Sequence, residues 1–206
     1  DILDRGRRRH IKAGEILFHE GDRADRCYLV LKGRLKLSKL HEQGKEIIIR
    51  YIESGAVTAA VAVFKGKRLP VTAKAMGDAE VVGWDRDVII ELISEYEQLA
   101  VNLLHFAIDR IEELQNRYME LAAEQVERRI ARALLRIMRQ SGRKTSEGIE
   151  IGFKLSRQDL ADYTGTTLYT VSRTLSDWAK KGWVKSGRQR IVVINPHSLV
   201  SFSETD

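Results

Sequence analysis

A single cysteine, Cys27, in 206 residues excludes an internal disulfide and the small secreted scaffolds that depend on such bridges. No apolar run approaches the roughly 20 residues that a membrane-spanning helix requires, and the basic opening DILDRGRRRH has no apolar core after it to make a signal peptide. We therefore expect a cytoplasmic protein with no membrane partner. The sequence opens on Asp1 and not on Met, as a trimmed chain would. It also lacks a glycine-rich loop to cradle phosphate, a cluster with metal-ligand spacing and a convincing nucleophile beside a base. No catalytic residue and no metal ligand is assigned, and an enzyme is the weakest reading.

What is there is concentrated in LSRQDLADYTGTTLYTVSRTLSDWAKK, Leu155 to Lys181. Ser156 suits an N-cap before a helix whose Leu160 and Ala161 face inward, and Gly165 ends it where a left-handed backbone is cheapest. A second helix starts near Thr166, with Leu168, Val171, Leu175 and Trp178 as one buried stripe. Thr167, Tyr169, Thr170, Ser172, Arg173 and Lys180 are left on other faces. This is the pattern of a helix-turn-helix: a helix fits the major groove of double-stranded DNA, and an Arg can take guanine O6 and N7 as a bidentate pair. Arg173 is the strongest single candidate. The plain alternative is a helical hairpin with a solvated polar face. Against it, WVKSGRQRIVVI follows as two strands around Ser186-Gly187-Arg188-Gln189, a basic wing that could rest on phosphates.

Charge divides the chain the same way. Residues 1–122 carry 20 basic and 20 acidic side chains and residues 123–206 carry 15 and 9, so the whole net charge of +6 lies in the half with the helix-turn-helix. Such an excess suits a surface that displaces counterions from DNA, although a solvated surface or an acidic protein partner would carry it too.

From Ile11 to about Trp84, short apolar runs (EILF, CYLVLKGRLKLSKL, EIIIRYI, VTAAVAVF, PVTAKA, EVVGW) alternate with glycine-bearing turns at roughly ten-residue intervals, which predicts strands of a sandwich or barrel. Leu29, Leu31, Leu35 and Leu37 share one parity, and Lys32, Arg34 and Lys36 the other, as in a strand buried on one side. From Asp85 the period becomes helical, with DVIIELISEYEQL and then a run without Pro or Gly to about Leu121. In it Val101, Leu104, Ile108, Ile111, Gln115, Tyr118 and Ala122 step by three and four, the seam of a parallel coiled coil. A second stripe of Leu103, Ala107, Leu114 and Leu121 lies beside it. Two stripes suggest a partner, most simply a second copy; packing within the chain is the alternative. EQVERRIARALLRIMRQSGRK then predicts a helix with Val126, Ile130, Leu134 and Ile137 inward. GIEIGFKLS supplies short strands, and NPHSLVSFSETD a cap with a frayed SETD end.

A glycine-punctuated roll opening with Gly14 to Asp22 (GEILFHEGD) and continuing Tyr28-Leu29-Val30 and Lys32-Gly33, then a long helix and a winged helix-turn-helix, resembles the Crp/Fnr superfamily of bacterial transcription regulators. Arg157-Gln158, Gly165, Thr170-Val171, Arg173 and Leu175 look like its DNA-binding signature. The resemblance covers nearly the whole chain. It implies an α+β fold with an N-terminal β-roll (a cyclic-nucleotide-binding-like jelly roll) at 1–96, a dimerisation helix at 97–122 and a DNA-binding winged helix-turn-helix at 123–206. The expected DNA contacts are Arg157, Gln158, Thr166, Thr167, Leu168, Tyr169, Thr170, Ser172, Arg173, Lys181, Arg188 and Arg190. The expected dimer seam is Val101, Leu104, Ile108, Ile111, Gln115 and Tyr118. Lys65 to Arg68 is a candidate contact for RNA polymerase, with a solvated turn as the plain reading.

Departures from the family pattern bear on the effector. Members that bind a cyclic nucleotide hold the ribose with a Gly-Glu pair and the phosphate with an Arg-Ser pair, where this chain has Ala59-Ala60 and Leu69-Pro70. Without those partners a buried phosphate is unfavourable, so a cyclic nucleotide is not expected. One cysteine cannot hold an iron-sulfur cluster of the oxygen-sensing relatives. VTAAVAVF, LPVTAKA, TTLYTVSR and SGRQR look more like the nitric-oxide and nitrogen-oxide responsive branch, some of whose members bind haem. Haem is thus a candidate cofactor, with His10, His19, His41, His105, His197 and Met76 as scattered possible ligands and surface histidines as the plain reading. Ala59, Ala60, Leu69, Pro70 and His105 form the candidate effector pocket. Cys27 is either a redox-sensitive thiol or a small core residue. Where many relatives have Glu, this chain has Tyr169, which offers no carboxylate to cytosine or to the Arg, so the TTG-like half-sites of an inverted repeat should keep the guanine and be altered beside it. The alternative function, from another class, is a haem- or thiol-based sensor acting through protein contacts or redox change.

Overall fold

A computed structural model describes residues 2–204. The chain divides into two compact units, Asp1–Leu40 with Ile49–Arg117, and His41–Ile48 with Tyr118–Asp206.

In the first unit a short 3-10 turn (Leu3–Arg5) leads into strands β1 (Arg7–Ile11), β2 (Ile16–Phe18), β3 (Arg26–Lys32), β4 (Leu35–Leu40), β5 (Glu46–Ile52, whose first three residues belong to the second unit) and β6 (Val57–Thr58). Helix α1 (Ala60–Phe64) comes next, followed by β7 (Thr72–Ala75), β8 (Ala79–Asp85), α2 (Arg86–Glu95) and α3 (Glu97–Ala123), whose residues from Tyr118 on belong to the second unit. The strands form two four-stranded sheets in the orders β1-β8-β3-β6 and β2-β7-β4-β5. Val30, Leu35, Ile52, Val63, Ala73, Val81 and Leu92 are buried in the roll core. From α3, Leu99 and Leu103 pack against that core, whereas Val101, Leu104, Ile108 and Ile111 are exposed.

Two strand expectations are corrected here, and one strand was not expected. CYLVLKGRLKL is not one half-buried strand but β3 and β4 in different sheets. Gly33 at φ 82° turns the chain between them, where a Cβ would lie 2.5 Å from the Asp78 carbonyl oxygen. In β3 Cys27 and Val30 are buried and Leu29 and Leu31 only half-buried, and in β4 Lys36 is buried beside Leu35 and Leu37, so burial does not follow the expected parity. VTAAVAVF is a two-residue strand followed by a helix. Ala59 adopts a left-handed φ of 66° that ends β6, and the alanine-rich stretch after it has helical propensity. Finally, RRRHI forms β1, whose first four residues face water, and pairs with β8 from Arg7↔Gly83 to Ile11↔Ala79.

The second unit holds α4 (Val126–Ser141), β9 (Gly142–Thr145), β10 (Gly148–Ile151), α5 (Arg157–Thr164), α6 (Leu168–Lys180), β11 (Val184–Gly187), β12 (Arg190–Val193) and α7 (Pro196–Glu204). Its sheet runs β11-β12-β10-β9, with Ile149 and Glu150 of β10 opposite Val193 and Val192. Ile130, Leu134 and Ile137 of α4 are buried and Val126 half-buried. The tail is not frayed at Ser203 and Glu204, since both belong to α7: Arg132 Nη2 donates to the Ser203 carbonyl at 2.9 Å, and Phe202 meets the rings of Trp178 and Trp183, each at 5.8 Å. The remaining two residues of SETD, Thr205 and Asp206, lie outside the described residues.

Candidate functional site

Local chemistry sets both helices of the helix-turn-helix. Ser156 Oγ accepts from the Asp159 amide at 2.9 Å while Asp159 Oδ2 accepts from the Ser156 amide at 3.1 Å, a capping box that satisfies two amide donors that α5 would otherwise leave orphaned. Gly165 closes α5 at φ 67°, and Thr167 Oγ1 accepts from the Thr170 amide at 3.2 Å to start α6. Val171, Leu175 and Trp178 of α6 are buried, as their spacing predicts. Leu168 is not: it is exposed, because as the first residue of α6 it precedes the turn that packs on α5.

The face left open carries Thr167, Leu168, Tyr169 and Arg173, all exposed, with Thr166, Thr170 and Ser172 half-buried at its edges. Tyr169 is 74% exposed, so among the described residues nothing covers its side chain. Arg157 Nη2 donates to Ser186 Oγ at 3.1 Å and Gln158 Nε2 to Asp162 Oδ1 at 2.8 Å, so α5 is tied to the wing and to itself. Lys181 sits 4.9 Å over the Trp183 ring. Arg188 is exposed at the turn of the wing, next to Gln189 at φ 59°.

Carboxylates that sequence reading missed meet these cations. Arg190 donates from Nε and Nη2 to Glu150, both at 2.9 Å, and Lys185 pairs with Glu147, so the wing is less basic at its surface than its sequence suggests. Both glutamates titrate below their usual range because of these partners, side-chain hydrogen bonds being the largest cause. Arg173 Nη2 lies 3.3 Å from Glu127 Oε1 on the first turn of α4. A separation of 46 residues leaves no local signal for that contact.

In the first unit a cavity of about 260 Å³ is lined by Ala59, Ala60, Leu69 and Pro70 from the roll and by Phe106, Arg110, Glu113 and Leu114 from α3. Four of the five candidate pocket residues meet there. His105 does not: it is exposed, one residue out of phase with Phe106, and a helix turns about 100° per residue. Phe106 is flanked by two guanidinium groups, Arg110 at 5.3 Å and Arg50 at 5.6 Å from its centroid, and Arg110 also pairs with Glu113. The lining offers no imidazole, thiol or thioether to an iron, and His10, His19, His41, His105 and His197 are all exposed, while Met76 is half-buried. Among the described residues no three His, Cys, Asp or Glu side chains gather as a metal site. Burial pushes the Cys27 thiol up to about 11, so it stays protonated and unreactive in the core.

A glycine-punctuated roll with a cavity beside the long helix, and a winged helix-turn-helix, together define a DNA-binding transcription regulator. The Cyclic nucleotide-binding domain family matches residues 8–96 and the Crp-like helix-turn-helix domain family residues 128–202. The global nitrogen regulator of Synechococcus elongatus is 30% identical over 188 residues, 90% of this chain and 85% of that one. The cyclic AMP receptor protein of Thermus thermophilus is 28% identical over 180 residues, 87% and 80% of the two chains. The fold of FixK2 from Bradyrhizobium japonicum superposes with a TM-score of 0.84 at 24% identity, covering 98% of each chain. The chain belongs to the Crp/Fnr family of transcription regulators. Members of that family regulate transcription.

Proposed function

We propose that the protein works in the cytoplasm as a homodimer that binds an inverted repeat with its two α6 helices, under the control of a small effector other than a cyclic nucleotide held in the roll cavity. One observation carries this reading. Helix α3 presents Phe106, Arg110, Glu113 and Leu114 to the cavity and leaves Val101, Leu104, Ile108 and Ile111 uncovered on another face. An effector in the cavity therefore touches the same rigid rod that a second copy would cover, and a small shift of that rod changes the spacing of two recognition helices. Alanine, leucine and proline at positions 59, 60, 69 and 70 offer a phosphate neither a hydroxyl nor a cation, and of the arginines that line the same cavity Arg110 is paired with Glu113 and Arg117 donates to the Ile49 carbonyl, which supports an effector that is not a cyclic nucleotide. Arg173 would read a guanine, with Ser172 and Tyr169 beside it. Lys67 and Arg68, with Arg23 and Arg86, line a basic concavity suited to an acidic surface such as one on RNA polymerase.

The test is selection of binding sites from random duplex DNA by the purified protein at fixed salt, with no addition, with cyclic AMP, and with haem plus nitric oxide. A two-fold symmetric site built around a guanine is expected. Enrichment that needs cyclic AMP would overturn the effector reading, and the absence of any symmetric site would overturn the inverted repeat.

A further inference from the structure

Arg173 is 57% exposed and has a long, rotamer-rich side chain, which alone makes an imprecise base reader. Its guanidinium does not hang free: Nη2 is 3.3 Å from Glu127 Oε1. Glu127 is anchored through its backbone. It stands in the first turn of α4, where the helix N-terminus favours a carboxylate, on a helix whose Ile130, Ala131 and Leu134 are fully buried. The partner thus comes from a different helix. Asp177, one turn further along α6, faces Lys180 at 3.8 Å. A guanidinium has five N–H donors, and one hydrogen bond to Glu127 leaves enough of the fork for guanine O6 and N7.

We propose that Glu127 is a positioning residue for base readout, holding the Arg173 guanidinium in the plane it needs at the guanine edge. This inference rests on the reading of Arg173 as the guanine contact. The carboxylate also acts in the opposite sense on phosphate: close to the duplex it repels the backbone whatever the sequence, so it weakens non-specific binding while it sharpens specific binding. Both effects widen the gap between the right site and the wrong one.

The experiment measures affinity by fluorescence anisotropy at one salt concentration for the native protein, Glu127→Gln, Arg173→Ala and the double variant. Two duplexes are used, the site obtained by selection and the same site with the guanine replaced. The ratio of the two affinities should fall about fivefold in Glu127→Gln, a coupling of the size found between side chains in contact, with binding to the replaced site unchanged or tighter. In Arg173→Ala the ratio should collapse, and the double variant should lose no more than Arg173→Ala. An unchanged ratio in Glu127→Gln, or an equal loss on both duplexes, overturns the positioning role while leaving Arg173 as the reader. An unchanged ratio in Arg173→Ala, or the lack of any selected site, overturns the reading of Arg173 and this inference with it. Glu127→Asp keeps the carboxylate in the first turn of α4 and withdraws it by one methylene, so it carries the same test should the amide variant fold poorly.

Discussion

Arg136 grips Glu120 with both ends of its fork, Nη1 to Oε1 at 2.5 Å and Nη2 to Oε2 at 3.0 Å, and the glutamate is only 6% exposed. Glu120 belongs to the last turn of α3 and Arg136 to α4, and Arg136 also lies 6.0 Å over the ring of buried Tyr163 in α5. The end of the long helix is thus bound, inside the second unit, to α4 and through it to α5, the first helix of the helix-turn-helix. Removing one partner strands a charge. Glu120→Ala should destabilise the second unit by about 3 kcal/mol, and Glu120→Leu combined with Arg136→Met should recover most of the loss. Denaturation followed by tryptophan fluorescence in a Trp84→Phe background isolates this unit, because the remaining reporters, Trp178 and Trp183, lie within it.

Ala59 holds φ at 66°, a left-handed conformation that a Cβ makes unfavourable by about 1–2 kcal/mol. Glycine relieves that strain at the cost of a looser unfolded chain, about 0.5–1 kcal/mol. Ala59→Gly should therefore stabilise the first unit slightly, by roughly 0.5–1 kcal/mol. A lower midpoint in thermal unfolding followed by Trp84 would show that the lining of the cavity gains more from the Ala59 methyl than the backbone loses.

What could be read from the sequence follows the range of the forces involved. The caps and spacing from Ser156 to Trp178 are local, so both helices of the helix-turn-helix were legible, as was the run that becomes α3. Strand β1 was hidden because RRRHI is an edge strand with charged residues facing water, the very composition that protects an edge from pairing with another chain. Helix α1 was misread because an apolar run of eight residues fits a strand as well as a helix, and only the backbone of Ala59 decides between them. In the cavity, the substitutions at 59, 60, 69 and 70 were visible, but the phase of α3 was not, which put His105 in place of Phe106. The pairing of Arg173 with Glu127 depends on how α4 and α6 pack and leaves no trace in either segment.

Asp162 is buried, and that burial holds its carboxyl above the usual range, only partly offset by the hydrogen bond from Gln158 Nε2 at 2.8 Å. The folded state then binds this proton more tightly than the unfolded state does. The group stabilises the fold fully only below the ordinary aspartate value near 3.9, and that contribution is lost as pH rises through the raised folded value. Asp162→Asn keeps an acceptor for Gln158 and removes the charge. It should be more stable than the native protein at pH 7, with the difference shrinking as pH is lowered towards 4, in urea titrations at a series of pH values. A difference that grows on acidification would reverse the sign of the argument.

Leu104 is 60% exposed along α3, with Ile108 and Ile111 on the same face. If a second copy covers this face, Leu104→Glu places a charge in the seam and should weaken self-association by at least tenfold, since burying a leucine stabilises by about 1.5–3 kcal/mol. The same change touches little within one chain, so unfolding of the separated protomer should shift by less than about 0.5 kcal/mol. Light scattering over a concentration series reads the first effect and thermal unfolding at low concentration the second. Equal self-association in both proteins would move the dimer interface elsewhere.

Tyr169 stands one turn before Arg173 on α6, uncovered, where a carboxylate could accept from cytosine N4 and the phenol cannot serve in the same way. Tyr169→Glu should introduce a preference for cytosine at the base step contacted by position 169, worth about 1–3 kcal/mol against the other bases, and leave the guanine read by Arg173 in place. It should also reduce binding to unrelated DNA, because it brings a negative charge to the phosphates. Repeating the site selection with the variant measures both effects at once. A selected site identical to that of the native protein would mean that position 169 lies outside the groove, and the register of α6 on the DNA would then have to be turned so that Arg173 is reached from the wing side.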